Sequence, residues 1–163
     1  TLSGLPTRRF CFEAFLPTDK KERQWILEEL KQETRTMIVY EAPHHLVRTL
    51  EELGTALGMD RRLTLCRELT KRYEEAYQST FAEALQRFET EEPKGECVIV
   101  IEGRSIEDLK REQQKSWEEM SLEDHMEVYL AQGIDRKEAM KKVAKDRGIS
   151  KRDVYQGLME REG

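Results

Sequence analysis

Three short stretches hold the residues best suited to chemistry. Tyr40-Glu41-Ala42-Pro43-His44-His45 joins a phenol, a carboxylate and two imidazoles. Arg67-Glu68-Leu69-Thr70-Lys71 joins two cations, a carboxylate and a hydroxyl, and Ile101-Glu102-Gly103 ends an apolar run on a carboxylate. Each stands where an apolar run gives way to polar residues. Open α/β sheets bind ligands beyond the carboxyl ends of their strands, so the three ends together predict one pocket. Backbone groups there suit an adenine edge, with Ala42 and Leu69 as apolar walls.

Structural roles compete for the same residues. Glu41 and Glu68 are equally suited to pairing with Arg35 or Arg67. Arg67 with Lys71 is either a phosphate-positioning pair or a pair of surface charges. Two adjacent histidines do not share a helical face and no third ligand accompanies them, so no metal is expected. No nucleophile–base pair stands out, which leaves the catalytic residue unknown. P-loop, GxGxxG and GxSxG patterns are all missing. Cys11, Cys66 and Cys97 are far apart, fall in apolar runs and lack ligand spacing, which predicts buried free thiols.

These stretches need elements to position them. Arg9–Leu16, Thr36–Tyr40, Arg62–Cys66 and Cys97–Ile101 read as strands, and Tyr73–Gln78 as a further short one. Cys97–Ile101 has no polar alternation, which predicts a central strand covered on both faces. Asp19 with Glu22 opens a helix carrying Trp25, Ile26 and Leu30. A second helix, from about His45 to Leu57, aligns Leu46, Leu50, Leu53 and Leu57 and stops at Gly58. Thr80 with Glu83 is a capping box before Phe81, Leu85 and Phe88. Strands alternating with helices imply an α/β fold, an open sheet with flanking helices.

The pattern changes after Gly103. Residues 1–103 form the α/β domain, 104–118 read as a linker or a solvated helix, and 119–163 as a small three-helix tail. Its helices are expected at Ser121–Gln132, Asp135–Arg147 and Lys151–Glu160, with capping pairs Ser121/Asp124 and Ser150/Asp153. Ala144, Gly148 and Val154 have helix-turn-helix spacing, with Val143 and Ile149 completing a core. Arg136, Lys137, Lys141, Lys142, Lys145, Arg147, Lys151 and Arg152 give the tail an exposed basic face. Lys151 and Arg152 stand at the start of the last helix, where phosphate is favoured. A solvated packing appendage and a dimerisation element remain alternatives.

The chain has 163 residues, with 37% hydrophobic and 37% charged and a net charge of -5, so any nucleic-acid contact must rest on a local basic face. No apolar stretch approaches the roughly 20 residues of a membrane helix, which predicts a soluble, cytoplasmic protein. Thr1-Leu2-Ser3-Gly4 lacks an initiator Met and runs almost at once into a strand pattern, as expected of a piece of a longer protein.

Five ordered blocks carry a resemblance: Ser3-Gly4-Leu5-Pro6-Thr7, Phe12-Glu13-Ala14-Phe15-Leu16-Pro17, Arg35 through His44, Arg67 through Lys71, and Lys94 through Gly103. Together they resemble the ribosomal RNA small subunit methyltransferase I family, within the tetrapyrrole methylase superfamily. The tail resembles that family's C-terminal extension. The resemblance implies methyl transfer from S-adenosylmethionine to the ribose 2′-hydroxyl of a cytidine in 16S ribosomal RNA of the small ribosomal subunit. It also implies a homodimer, with the cofactor in a cleft between two α/β domains.

The matching cofactor positions are Tyr40, Glu41, Ala42, Leu69 and Thr70. The RNA-binding expectation falls on Arg67, Lys71, Lys151 and Arg152. The family's N-terminal domain, with its glycine- and proline-containing turn and its Asp-Thr-Arg segment, has no counterpart in this chain. The resemblance therefore covers a C-terminal half, expected to be inactive alone and to bind the cofactor weakly. The family's usual Gly is Ala14 here, and its Arg after Pro-His is His45. A tetrapyrrole-type small-molecule methylase, and a non-enzymatic α/β scaffold with a nucleic-acid-binding helix-turn-helix, are the competing readings.

Overall fold

The computed structural model describes residues 2–159, which fall into two compact units, one ending at Ser105 and the other beginning at Ile106. The first unit holds β1 (Phe10–Phe15), α1 (Lys20–Leu30), β2 (Thr36–Glu41), α2 (Pro43–Leu57), β3 (Arg62–Arg67), β4 (Glu75–Thr80), α3 (Phe81–Phe88) and β5 (Cys97–Ile101). The strands form one five-stranded sheet in the order β1-β2-β5-β3-β4. β5 is central, as its unbroken apolar run predicts. Only β1 and β2 pair in parallel, while β5 runs antiparallel to both its neighbours and β3 antiparallel to β4. The unit is an α/β fold with a mixed sheet.

Strand alternation divides the side chains between two faces. Met37 and Val39, Leu63 and Leu65, and Cys97, Ile99 and Ile101 form one buried cluster with Leu27 and Leu30 of α1, the α2 stripe and Phe81 and Ala84 of α3. The predicted stripe Leu46, Leu50, Leu53 and Leu57 is buried along its length. Trp25 does not belong to the core and is 60% exposed. It precedes Leu30 by five residues, about 140° around the helix, whereas Leu27 falls on the inward side. Asp19 caps α1 by accepting from the amides of Lys21 and Glu22, and Thr80 and Glu83 form a reciprocal box on α3.

The opposite face of the sheet is covered in part by the segment before β1. Thr64 and Thr36 donate their hydroxyls to the carbonyls of Ser3 and Pro6, which lays Leu5 against Cys66 and Val100. Phe10, Phe12 and Phe15 of β1 stay more than half exposed. β1 bulges between Phe12 and Ala14, where Ala14 takes φ 52°, in the left-handed region that favours glycine.

The second unit consists of α4 (Ile106–Glu119), α5 (Leu122–Leu130), α6 (Arg136–Arg147) and α7 (Lys151–Met159). The stretch for which a linker or a solvated helix was open is largely α4, and none of its residues is buried. Met126, Ala139, Met140, Val143, Ala144, Val154 and Leu158 form this unit's core. Gly148 ends α6 with φ 66° and lets the chain turn into α7, while Ala144 and Val154 are buried on either side of the turn. Ile149 is 39% exposed rather than a core residue, and its backbone closes the turn by donating to the Ala144 carbonyl. Glu160, the expected end of the last helix, lies outside the described residues.

Candidate functional site

The mixed sheet decides which strand ends meet. Arg67 pairs with Cys97, and Glu41 with Cys97 from the other side, so the C-terminal ends of β2 and β3 flank the start of β5. Ile101 pairs with Met37 and Leu63, at the opposite edge. Gly103 therefore cannot share a pocket with Tyr40 and Leu69. The expectation of three carboxyl ends around one pocket needs correction, since it assumed a parallel sheet. Two strand C-termini and one N-terminus meet instead.

At that edge lies a cleft of about 240 Å³, lined by Phe15, Tyr40, Glu41, Glu68, Leu69, Lys71, Glu96, Cys97 and Val98. Tyr40 forms one wall, with the rings of Phe12 and Phe15 edge-on at 5.1 and 5.8 Å. Phe12 and Phe15 stand in one of the blocks that carry the resemblance but were not expected at the site; their signal was the aromatic run of β1. Leu69 also lines the cleft and packs against the cluster of Leu5, Cys66 and Val100. Its turn is held in an unusual backbone path, with Glu68 at φ 50° and Thr70 at φ 64°. Such left-handed non-glycine residues persist where surrounding structure enforces them, and they concentrate at functional sites. Gly95 (φ 73°) lets the chain pass against the Glu68 carboxylate, where a Cβ would collide with it.

Glu41 takes neither of the expected arginine partners. It is 7% exposed, accepts from the Ala42 amide at 2.8 Å and from the Thr49 hydroxyl at 2.7 Å. Thr49 in turn accepts from Arg23 at 2.8 Å, and Glu52 binds Arg23 and Arg48. Arg35 pairs with Glu33 instead, which holds that carboxyl down at about 2. Arg67 is turned onto Glu75, whose carboxyl it pulls below the usual range, and Arg87 holds the second oxygen of Glu75. Lys71 lies 3.2 Å from Glu68 and stays two-thirds exposed. Burial pushes the Cys97 thiol up to about 11, so it is no ready nucleophile. Ala42 is half-buried behind Glu41, and Thr70 is exposed. His44 and His45 are exposed and touch each other, with ring centroids 4.1 Å apart. Among the described residues no three His, Cys, Asp or Glu side chains cluster to hold a metal ion, and no helix is long and apolar enough to cross a membrane.

In the second unit Lys151 and Arg152 are exposed at the start of α7, and Arg136, Lys137, Lys141, Lys142 and Lys145 are exposed on α6. Arg147 is a correction to the expected basic face. It turns inward, donating to the carbonyls of Met120 and Ser121 and, at 3.1 Å, to His125 Nδ1. His125 is fully buried and stacked on Trp117 at 4.0 Å.

The chain is 42% identical over 160 residues to the ribosomal RNA small subunit methyltransferase I of Synechocystis sp., covering 98% of this chain and 56% of that protein. It is 44% identical over 153 residues to the protein of the same name from Halalkalibacterium halodurans, covering 94% and 52%. The chain thus spans about half the length of the curated relatives it matches. Among solved structures, the methyltransferase CobJ aligns with a TM-score of 0.40 at 18% identity, covering 60% of this chain and 43% of that one. No family model matches the chain.

Proposed function

We infer that, over the half of their length that it spans, this chain belongs to the ribosomal RNA small subunit methyltransferase I family. The reading that follows is a C-terminal half of an enzyme that methylates a ribose 2′-hydroxyl of a cytidine in 16S ribosomal RNA. The observation that carries it is the cleft where β2, β5 and β3 meet. Its walls are apolar at Tyr40 and Leu69, and Glu68 and Glu96 border it. Apolar walls beside carboxylates suit a flat, cationic nucleoside such as S-adenosylmethionine. A volume of about 240 Å³ is below the roughly 300 Å³ at which small-molecule sites begin, so the chain offers one wall of a site.

Tyr40, Glu41, Ala42, Leu69 and Thr70 are the residues that would hold the cofactor. When bound, it supplies a methyl group already activated by the sulfonium. The chain's own contribution is position. Phe12 and Phe15 fix the Tyr40 ring, and the bonds from Thr49 and the Ala42 amide fix Glu41, so the backbone at Ala42 is preorganised. Lys71 at the cleft, paired with Glu68 yet two-thirds exposed, offers a shared cation to RNA phosphates, and Lys151 and Arg152 on α7 offer two more. Arg67 contributes through the Glu75 pair, which shapes the turn, more than through a free charge. The same reading makes the complete protein a cytoplasmic homodimer acting on the small ribosomal subunit.

The test is methylation of isolated 30S subunits by the complete protein, with the product located by mass spectrometry. A methyl on a cytidine ribose is the expected result. Methylation of porphyrinoids with untouched 30S subunits would replace this reading with the small-molecule one. Calorimetry of the 163-residue chain with S-adenosylmethionine should show weak binding at most.

A further inference from the structure

We infer that the turn between β3 and β4 is a base-stacking platform, on which Tyr73, backed by Arg72, takes a nucleobase of single-stranded RNA beside the cleft. The inference rests on the RNA-methyltransferase reading and names the nucleic-acid form that this edge of the sheet recognises.

Tyr73 was expected within a strand, yet β4 begins only at Glu75, because pairing with β3 starts at Arg67 opposite Glu75. Tyr73 is left in the turn with 76% of its surface exposed, more than any other large hydrophobic residue described. A single exposed aromatic needs no explanation by itself. Here three further features converge on it.

The first is charge. The Arg72 guanidinium lies 5.7 Å from the Tyr73 ring centroid and, among the described residues, makes no ion pair. Its neighbours Arg67 and Lys71 are both matched with carboxylates. The second is local hydrogen bonding. Lys71 donates its amide to the Glu68 carbonyl at 2.9 Å, Glu74 to the Lys71 carbonyl at 3.2 Å, and Thr70 to the Glu74 carboxylate at 2.7 Å. With Glu68 and Thr70 both left-handed, these bonds set the path that carries Tyr73 outward. The third is place. Glu68, Leu69 and Lys71 of the same turn line the cleft.

An exposed aromatic ring with an adjoining planar cation is the chemistry that receives an unstacked base. In duplex RNA the base faces are occupied by one another, so the platform selects single-stranded or splayed nucleotides. An enzyme that must reach one ribose gains from holding a neighbouring base out of the stack.

The experiment measures binding of the chain to a fluorescent single-stranded oligoribonucleotide of about ten nucleotides, within the span one binding face covers, and to a hairpin duplex of the same composition. Tyr73→Ala should weaken single-strand binding by about five- to a hundredfold and leave duplex binding unchanged. Tyr73→Phe should bind within about twofold of the parent, since stacking needs the ring and not the hydroxyl. The salt dependence of Tyr73→Ala should match the parent, whereas Arg72→Gln should lower the slope of log affinity against log salt by about 0.7. Circular dichroism confirms that the variants fold. A Tyr73→Ala chain that binds like the parent, a Tyr73→Phe as weak as the alanine variant, or equal losses for duplex and single strand would overturn the platform. A parent chain that binds neither RNA form would also overturn the platform, whereas the RNA-methyltransferase reading falls only if the complete protein leaves 30S subunits unmethylated.

Discussion

Thr49 and Glu41 are joined by a 2.7 Å hydrogen bond that ties the second turn of α2 to the last residue of β2, at the wall of the candidate cleft. Thr49 is almost fully buried and also accepts from Arg23, so one hydroxyl serves two charged groups. Thr49→Val keeps the shape and removes the hydroxyl, leaving an oxygen of Glu41 and an N–H of Arg23 without that partner. The expected cost is about 1–3 kcal/mol, measured by urea unfolding. An unchanged midpoint would show that water replaces the hydroxyl.

Ala14 offers the opposite change. A non-glycine residue at φ 52° works against its Cβ, and the bulge in β1 requires that conformation. Ala14→Gly relieves the clash while loosening the unfolded chain, for a net gain of about 0.5–1 kcal/mol. Because the bulge also places Phe15 against Tyr40, the variant should keep that contact, which near-ultraviolet circular dichroism reads.

Much of this architecture is legible in the sequence because it depends on local periodicity. The Leu46-Leu50-Leu53-Leu57 stripe, the Thr80/Glu83 box and the apolar Cys97–Ile101 run each follow from spacing alone. Strand direction does not. Nothing in Cys97–Ile101 says that it runs against β2 and β3, and that one fact moves Gly103 to the far edge and brings Glu96 to the cleft. Side-chain pairing was equally hidden. Arg67 reads as a phosphate ligand until Glu75 is found opposite it across the hairpin, and Arg147 reads as a surface charge until it is seen folded onto His125. Thr49, on the apolar stripe three residues after Leu46, was the visible hint that α2 carries a buried polar partner for the cleft.

Gly103 is removed from the cleft but not from the fold. A Cβ there would collide with the backbone carbonyls of Thr34 and Arg35, and backbone cannot swing aside as a flexible side chain does. Gly103→Ala should cost at least about 3 kcal/mol, the upper range for overpacking, seen as a lowered Tm. Gly95→Ala meets only the side chain of Glu68, which can swing aside, but its φ of 73° adds a left-handed strain of about 1–2 kcal/mol, so a smaller fall in Tm than for Gly103→Ala should accompany a disturbed cleft turn.

His125 makes the helical unit sensitive to acid. Burial, and then the nearby Arg147 charge, hold its imidazole below the usual pKa, while Asp146 opposes them weakly. The folded state therefore resists a proton that the unfolded chain accepts near pH 6.5. Stability is full above that value and declines as the pH falls below it, until the folded imidazole is protonated too. The measurement is urea unfolding at stepped pH followed by Trp117 fluorescence, in a Trp25→Phe background so that the indole stacked on His125 is the only reporter. The midpoint should drop between pH 7 and pH 5.5, and His125→Gln should flatten that drop. A flat profile in the parent would show that the imidazole titrates alike in both states.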